Sequence, residues 1–148
     1  MLQHRMEAKW ISCFETAFVL CGVKSGDSAA ILSETQSRAV NVQLAELALL
    51  RLGAHAFHIV LPARPLAAPV PVRSTGASDA VAGLQPVIQA LATVDFVADL
   101  TVEGLLHAAE LPQILAGGAR VLMVSNEHLK CWNAVFRMRH WSPGSSGE

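Results

Sequence analysis

The amino-acid sequence predicts an α/β fold: an open, doubly wound, mostly parallel sheet with helices on both faces, a Rossmann-like three-layer sandwich. Three observations carry this expectation. Strand-like runs ("SAAILS", "AHAFHIVLP", "DFVADL", "ARVLMVSN") alternate with stretches of helical periodicity. The run "AHAFHIVLP" is nearly continuous in apolar residues, as expected of a strand whose parallel sheet is covered by helices on both sides. The chain has 148 residues, 52% hydrophobic and 16% charged, which suits one sizeable core and excludes a disordered polymer.

The first element is "HRMEAKWISCFETAFVLCGV". Met6, Trp10, Cys13, Phe14, Ala17, Phe18 and Cys21 recur at three- and four-residue steps, which predicts an amphipathic leading helix stopped by Gly22. "KSGD" reads as a turn and "SAAILS" as a short strand. In "ETQSRAVNVQLAELALLRLG", Ala39, Val40, Leu44, Leu47 and Ala48 are expected to form the apolar face of a long helix ending at Gly53. Ser33 with Gln36, or Thr35 alone, is expected to cap its start. "AHAFHIVLP" then completes a βαβ unit, whose crossover should be right-handed.

From Pro62 to Gly83 four prolines (Pro62, Pro65, Pro69, Pro71) and the loss of periodicity predict an irregular connection. "LQPVIQALATV" resumes as a short helix and "DFVADL" as the third strand. "ELPQILAGG" can be helical only with Pro112 in its first turn, where the missing N–H costs nothing. That places the helix start near Glu110 and leaves Gly104 to His107 in a loop. "ARVLMVSN" is the fourth strand. The expected organisation is one α/β domain with a leading helix over residues 1–126. Residues 127–148 follow as a packing helix carrying Leu129, Trp132, Val135, Phe136 and Trp141, or as a poorly ordered tail of a chain that stops early.

Composition narrows the function. Eleven Lys plus Arg against 12 Asp plus Glu give a net charge of -1, with nothing to steer the chain to nucleic acid or to an anionic membrane. Cys13, Cys21 and Cys131 form neither a Cys-x-x-Cys pair nor a disulfide framework, which suits reduced thiols. The first residues lack a signal peptide's apolar core, and every long apolar stretch is broken before it could span a bilayer. A cytoplasmic protein is expected.

In an open parallel sheet, ligands bind beyond the carboxyl ends of the strands. Three loops qualify: Ser33 to Ser37, the stretch after Leu61, and Thr101 to His107. The first offers Glu34, Thr35 and Gln36 as hydrogen-bonding groups but has no glycine. Neither dinucleotide nor P-loop glycine pattern occurs, and the paired glycines of "AGGAR" read as a turn before a strand. Among candidate metal ligands, His55 and His58 are an odd number apart on a strand and should face opposite sides. His128, Cys131 and His140 could converge only in an ordered tail. Glu34, Asp99 and Glu103 could approach the same sheet edge without forming a pair with a histidine in sequence. No metal site is expected from this chain's own residues. His107 is the best single candidate for chemistry, beyond the third strand and just before a helix. Read from the residues alone, a surface histidine is the plainer account, and one histidine does not make a mechanism.

"ETQSRAVNVQLAELALLRLGAHAFHIVLP", "DFVADL" and "LLHAAELPQILAGGARVLMVSNEH", in that order over roughly Gly22 to His128, resemble the amino-terminal domain of the 2,5-dihydroxypyridine 5,6-dioxygenase family. They also resemble the related thermophilic leucyl aminopeptidase-like metallopeptidases. "ETQ" after the first strand and "LLH" before "QIL" are the more particular pieces. The resemblance implies non-haem iron(II) ring cleavage by molecular oxygen in the dioxygenase, and water activation by a divalent metal pair in the aminopeptidases. In both, the metal ligands come from a second, carboxyl-terminal domain. It further implies that Leu106 packs on an aromatic substrate while His107 moves a proton to or from a ring hydroxyl.

The expectation is therefore a substrate-side domain, inactive alone, that takes a small aromatic substrate and needs a missing or separate metal-binding domain. A non-catalytic module that self-associates through exposed apolar surface is the contrasting reading, and a homo-oligomer is expected.

Overall fold

The computed structural model describes residues 8–62 and 78–124. In chain order the elements are α1 (Ala8–Leu20), β1 (Ser28–Glu34), α2 (Ala39–Arg51), β2 (His55–Leu61), α3 (Gln85–Thr93), β3 (Phe96–Leu100), α4 (Leu111–Ala116) and β4 (Arg120–Met123). The four strands form one parallel sheet in the order β2-β1-β3-β4, with Ala29 of β1 level with Ala56 of β2 and Phe96 of β3. The α/β fold with helices on both faces is as expected.

Alternation along β1 divides the core in two. Ala29 and Ile31 face one layer, where they meet Phe14 and Phe18 of α1 and Leu44, Ala48 and Leu49 of α2. Ala30 and Leu32 face the other, with Ile88 and Leu91 of α3 and Ile114 of α4. In the first layer Phe18 stands edge-on to Phe14 and Phe96, at ring-centroid distances of 6.0 and 5.3 Å. Each fully buried Leu or Phe stabilises the fold by roughly 1.5–3 kcal/mol. Truncating Leu44 in the middle of this layer would therefore cost about 2–5 kcal/mol, cavity included.

Several element boundaries agree with the sequence reading. Gly53 terminates α2 at φ +79°, and the Ala54 amide reaches back to the Leu49 carbonyl at 3.0 Å. Pro112 lies in the first turn of α4, after Glu110. Cys13 and Cys21 are free, half-buried thiols; burial raises the Cys21 pKa against the opposing charge of Arg120.

Three local expectations are corrected. First, α2 is not capped by Ser33, Thr35 or Gln36. β1 extends through Glu34, a turn intervenes, and the residue before the helix is Arg38, with no side-chain cap hydrogen bond. Second, the face of α2 is rotated. Val40, Asn41, Leu44, Ala45, Ala48 and Leu49 are buried, while Ala39 is exposed and Leu47 half-buried. The helix lies against both the sheet and α1, so two adjacent stripes are needed where one was anticipated. Third, β2 is an edge strand among the described residues and only Leu61 of it is buried; Phe57 is 42% and Val60 58% exposed. An uninterrupted apolar run does not tell a central strand from an edge.

His55 and His58 do not share a ligand position. Each aligns with a β1 residue of opposite face, and His58 Nε2 pairs with Glu46 Oε1 at 3.0 Å on the α2 side. Most of the Pro62 to Gly83 connection, residues 127–148, and the His128, Cys131 and His140 group lie outside the described residues. Among the described residues, no helix is long and apolar enough to cross a membrane.

Candidate functional site

The strand order places a topological switch between β1 and β3. From β1 the chain crosses outward to β2, then returns to the other side of β1 as β3 and continues to β4. Connections that diverge in this way open a crevice at the carboxyl ends of the two central strands. Its walls are the turn after β1, residues 35–38, and the loop after β3, residues 101–110.

Side chains at the strand ends tie these walls together. The Ser37 hydroxyl accepts the Glu34 amide at 2.9 Å and donates to the Leu100 carbonyl at 2.6 Å, so the turn after β1 is sewn to the last residue of β3. Glu34 Oε2 accepts the Val102 amide at 2.7 Å. The Thr35 amide donates to the Leu61 carbonyl at 3.0 Å, fastening the turn to β2 as well.

The loop after β3 is organised around Asp99, whose side chain has no solvent exposure. Its Oδ1 accepts the Thr101 hydroxyl at 2.6 Å and the Thr101 amide at 3.1 Å, and its Oδ2 accepts the Leu105 amide at 2.6 Å. The Thr101 hydroxyl in turn accepts the Gly104 amide at 3.1 Å. Gly104 adopts φ +81°, and a Cβ there would overlap the thioether of Met123. Its carbonyl accepts the Ser78 amide at 2.9 Å, and Leu105 is wholly buried behind it. Burial pushes the Asp99 carboxyl from 3.8 up to about 6; the hydrogen bonds from Thr101 and Leu105 oppose that rise, and the Glu34 charge adds to it.

Leu106 and His107 project from the far end of this pinned loop. Both are exposed, Leu106 by 54%. With Ala108, Leu111, Pro112 and Leu115 they line a shallow, largely apolar groove against α4. Glu34, Thr35 and Gln36 do not line that groove; they occupy the β1 side of the crevice, with Thr35 and Gln36 exposed and Glu34 half-buried. Leu106 and His107, neighbours in sequence, thus share this groove, and Glu34 is joined to their loop through the Val102 amide from outside it.

In the sequence Asp99 was legible only as a carboxylate able to approach the sheet edge, and Thr101 and Ser37 only as ends of two candidate loops, with no role for either side chain. A signal for the first two was present. An Asp followed two residues later by Thr is the spacing of a turn in which the carboxylate takes the backbone amide two positions on. Ser37 had no comparable mark, because its acceptor, Leu100, is 63 residues away.

Among the described residues, no group of three or more His, Cys, Asp or Glu side chains is placed to hold a metal ion. Asp99 is committed to amide and hydroxyl donors, and Glu34 to the Val102 amide through Oε2.

A family model described as NicX, 2,5-dihydroxypyridine 5,6-dioxygenase, matches residues 9–140. The solved structure of 2,5-dihydroxypyridine dioxygenase from Pseudomonas putida KT2440 is similar, with a TM-score of 0.70 and 29% sequence identity, over 82% of this chain and 35% of that one. The chain therefore spans about a third of the length of that relative. No curated protein matches it. The aminopeptidase resemblance gains no support from these comparisons.

Proposed function

Since the chain belongs to the 2,5-dihydroxypyridine 5,6-dioxygenase family, we propose that it forms the substrate-side domain of an iron(II)-dependent, ring-cleaving dioxygenase acting on a dihydroxypyridine. The observation that carries this reading is the exposed Leu106–His107 pair, presented on a groove by a loop that buried side chains hold rigid at the switch point of the sheet.

In this reading Leu106 packs on the face of the aromatic ring. His107 accepts the proton of a ring hydroxyl: the O–H bond breaks, an N–H bond forms on the imidazole, and the electron pair stays on oxygen, enriching the ring. Glu34, Thr35 and Gln36, on the β1 side of the crevice and outside the groove, supply hydrogen-bonding groups to the part of a ligand that extends beyond it. The described residues do not fit iron(II), which in such enzymes needs a facial set of His and carboxylate ligands. The domain binds and deprotonates the substrate without opening the ring by itself.

Titrating the purified chain with 2,5-dihydroxypyridine, with and without added iron(II), tests this. Binding that is independent of iron, weakened about tenfold or more by His107→Ala, is the expected result. Failure to bind in either condition overturns the proposal. Oxygen uptake by the chain with iron(II) would overturn its statement that ring opening needs ligands from elsewhere.

A further inference from the structure

Of the five successive amides from Thr101 to Leu105, four are taken by side chains: Thr101 and Leu105 by Asp99, Val102 by Glu34 and Gly104 by the Thr101 hydroxyl. A surface loop ordinarily satisfies its amides with water and stays adaptable. Here two carboxylates and a hydroxyl, two of the three side chains fully buried, replace the solvent and specify one backbone path. The path ends one residue before Leu106. Leu105 is locked by its amide on Asp99 and by its side chain in the core, so the direction in which Leu106 and His107 leave the domain is set there.

We propose that Asp99 is a positioning residue for the ligand groove, acting with the Thr101 hydroxyl to hold the 101–105 turn in the conformation that presents Leu106 and His107. It does not touch the ligand. This inference rests on the proposed role of His107, but the conformational part of it does not depend on which ligand binds. Asp99 is suited to the task because a carboxylate can accept on both oxygens. An amide in its place keeps one acceptor and turns an N–H₂ group toward the remaining donor. Thr101 is suited because its hydroxyl donates to Asp99 and accepts from Gly104 at once, which neither Val nor Ala can do.

The test uses the full chain carrying Asp99→Asn, Thr101→Val or Thr101→Ser. Amide hydrogen exchange at Gly104 and Leu105, the NMR signals of the His107 ring, and the affinity for 2,5-dihydroxypyridine are measured on each. Asp99→Asn and Thr101→Val are expected to speed exchange at these amides by about tenfold, to multiply or broaden the His107 ring signals, and to weaken binding by about tenfold, the equivalent of one hydrogen bond. Thr101→Ser, which keeps the hydroxyl, is expected to stay within about twofold of the wild type in all three. If Asp99→Asn does not fold, the two Thr101 variants decide. Wild-type exchange and ring signals in folded Thr101→Val would overturn the inference, as would equal disruption by Thr101→Ser. If the wild-type chain binds no 2,5-dihydroxypyridine, the functional proposal fails, while exchange and the ring signals still decide whether Asp99 positions His107.

Discussion

Glu34 Oε2, at the end of β1, accepts the Val102 amide, just past the end of β3, at 2.7 Å. The two residues lie 68 positions apart in sequence, and their bond ties together the two walls of the crevice that the strand order opens between these strands. Hydrogen bonds to a charged acceptor are among the stronger ones, although a half-buried carboxylate keeps some of its hydration. Glu34→Ala is expected to lower stability by about 1–2 kcal/mol in urea denaturation, and Glu34→Gln, which retains an acceptor, by less than half of that.

Asp99 gives stability a pH dependence of definite sign. Its carboxyl titrates at about 6 when folded, against an ordinary value of 3.8, so the folded chain binds this proton more tightly than the unfolded chain does. Its contribution is fully present below about pH 4 and is lost as pH rises through about 6, amounting to at most about 3 kcal/mol. Asp95 works in the opposite sense outside this window. The Ser28 amide and hydroxyl hold its pKa below 3.8, so its contribution is lost as the solution is acidified below about pH 4. Denaturation of the wild type and of Asp99→Asn at a series of pH values separates the two. The difference curve should slope between about pH 4 and 6 and be flat on either side.

Gly104 sits where both backbone and space demand glycine. At φ +81° a side chain is strained, and its Cβ would meet Met123 Sδ and Cγ. Gly104→Ala is expected to cost about 1–3 kcal/mol, part strain and part overlap. The thioether is the flexible end of a side chain, so shortening it should relieve the second part only. Thermal denaturation of Gly104→Ala in the wild-type and Met123→Ala backgrounds should show a smaller penalty in the latter, without abolishing it.

Asn41 is 1% exposed in the first turn of α2, and among the described residues neither amide atom of its side chain has a hydrogen-bond partner. Leaving such a group dry typically costs about 1–3 kcal/mol, and leucine has a similar shape and a better helix propensity. Asn41→Leu is expected to raise the midpoint of thermal unfolding. An unchanged or lowered midpoint would mean that the amide is satisfied in solution.

The sequence by itself determined the layered α/β class, the four strands and the placement of Pro112 and Gly53, because these depend on local periodicity and on which φ values a residue tolerates. Leu106 and His107 were legible as a pair only through the family resemblance, in a motif three residues long. Tertiary structure alone decided that β2 is an edge among the described strands, that α2 buries two adjacent stripes, and that the switch point falls between β1 and β3. It also decided that Ser37 and Glu34 reach across to Leu100 and Val102. Those outcomes depend on which distant segment lies alongside, and a hydrogen bond between residues more than 60 positions apart leaves no periodic trace in either partner's neighbourhood. Asp99 falls between the two cases: its spacing to Thr101 was legible, but its second oxygen was committed to Leu105 only once burial had removed the water that would otherwise have filled that place.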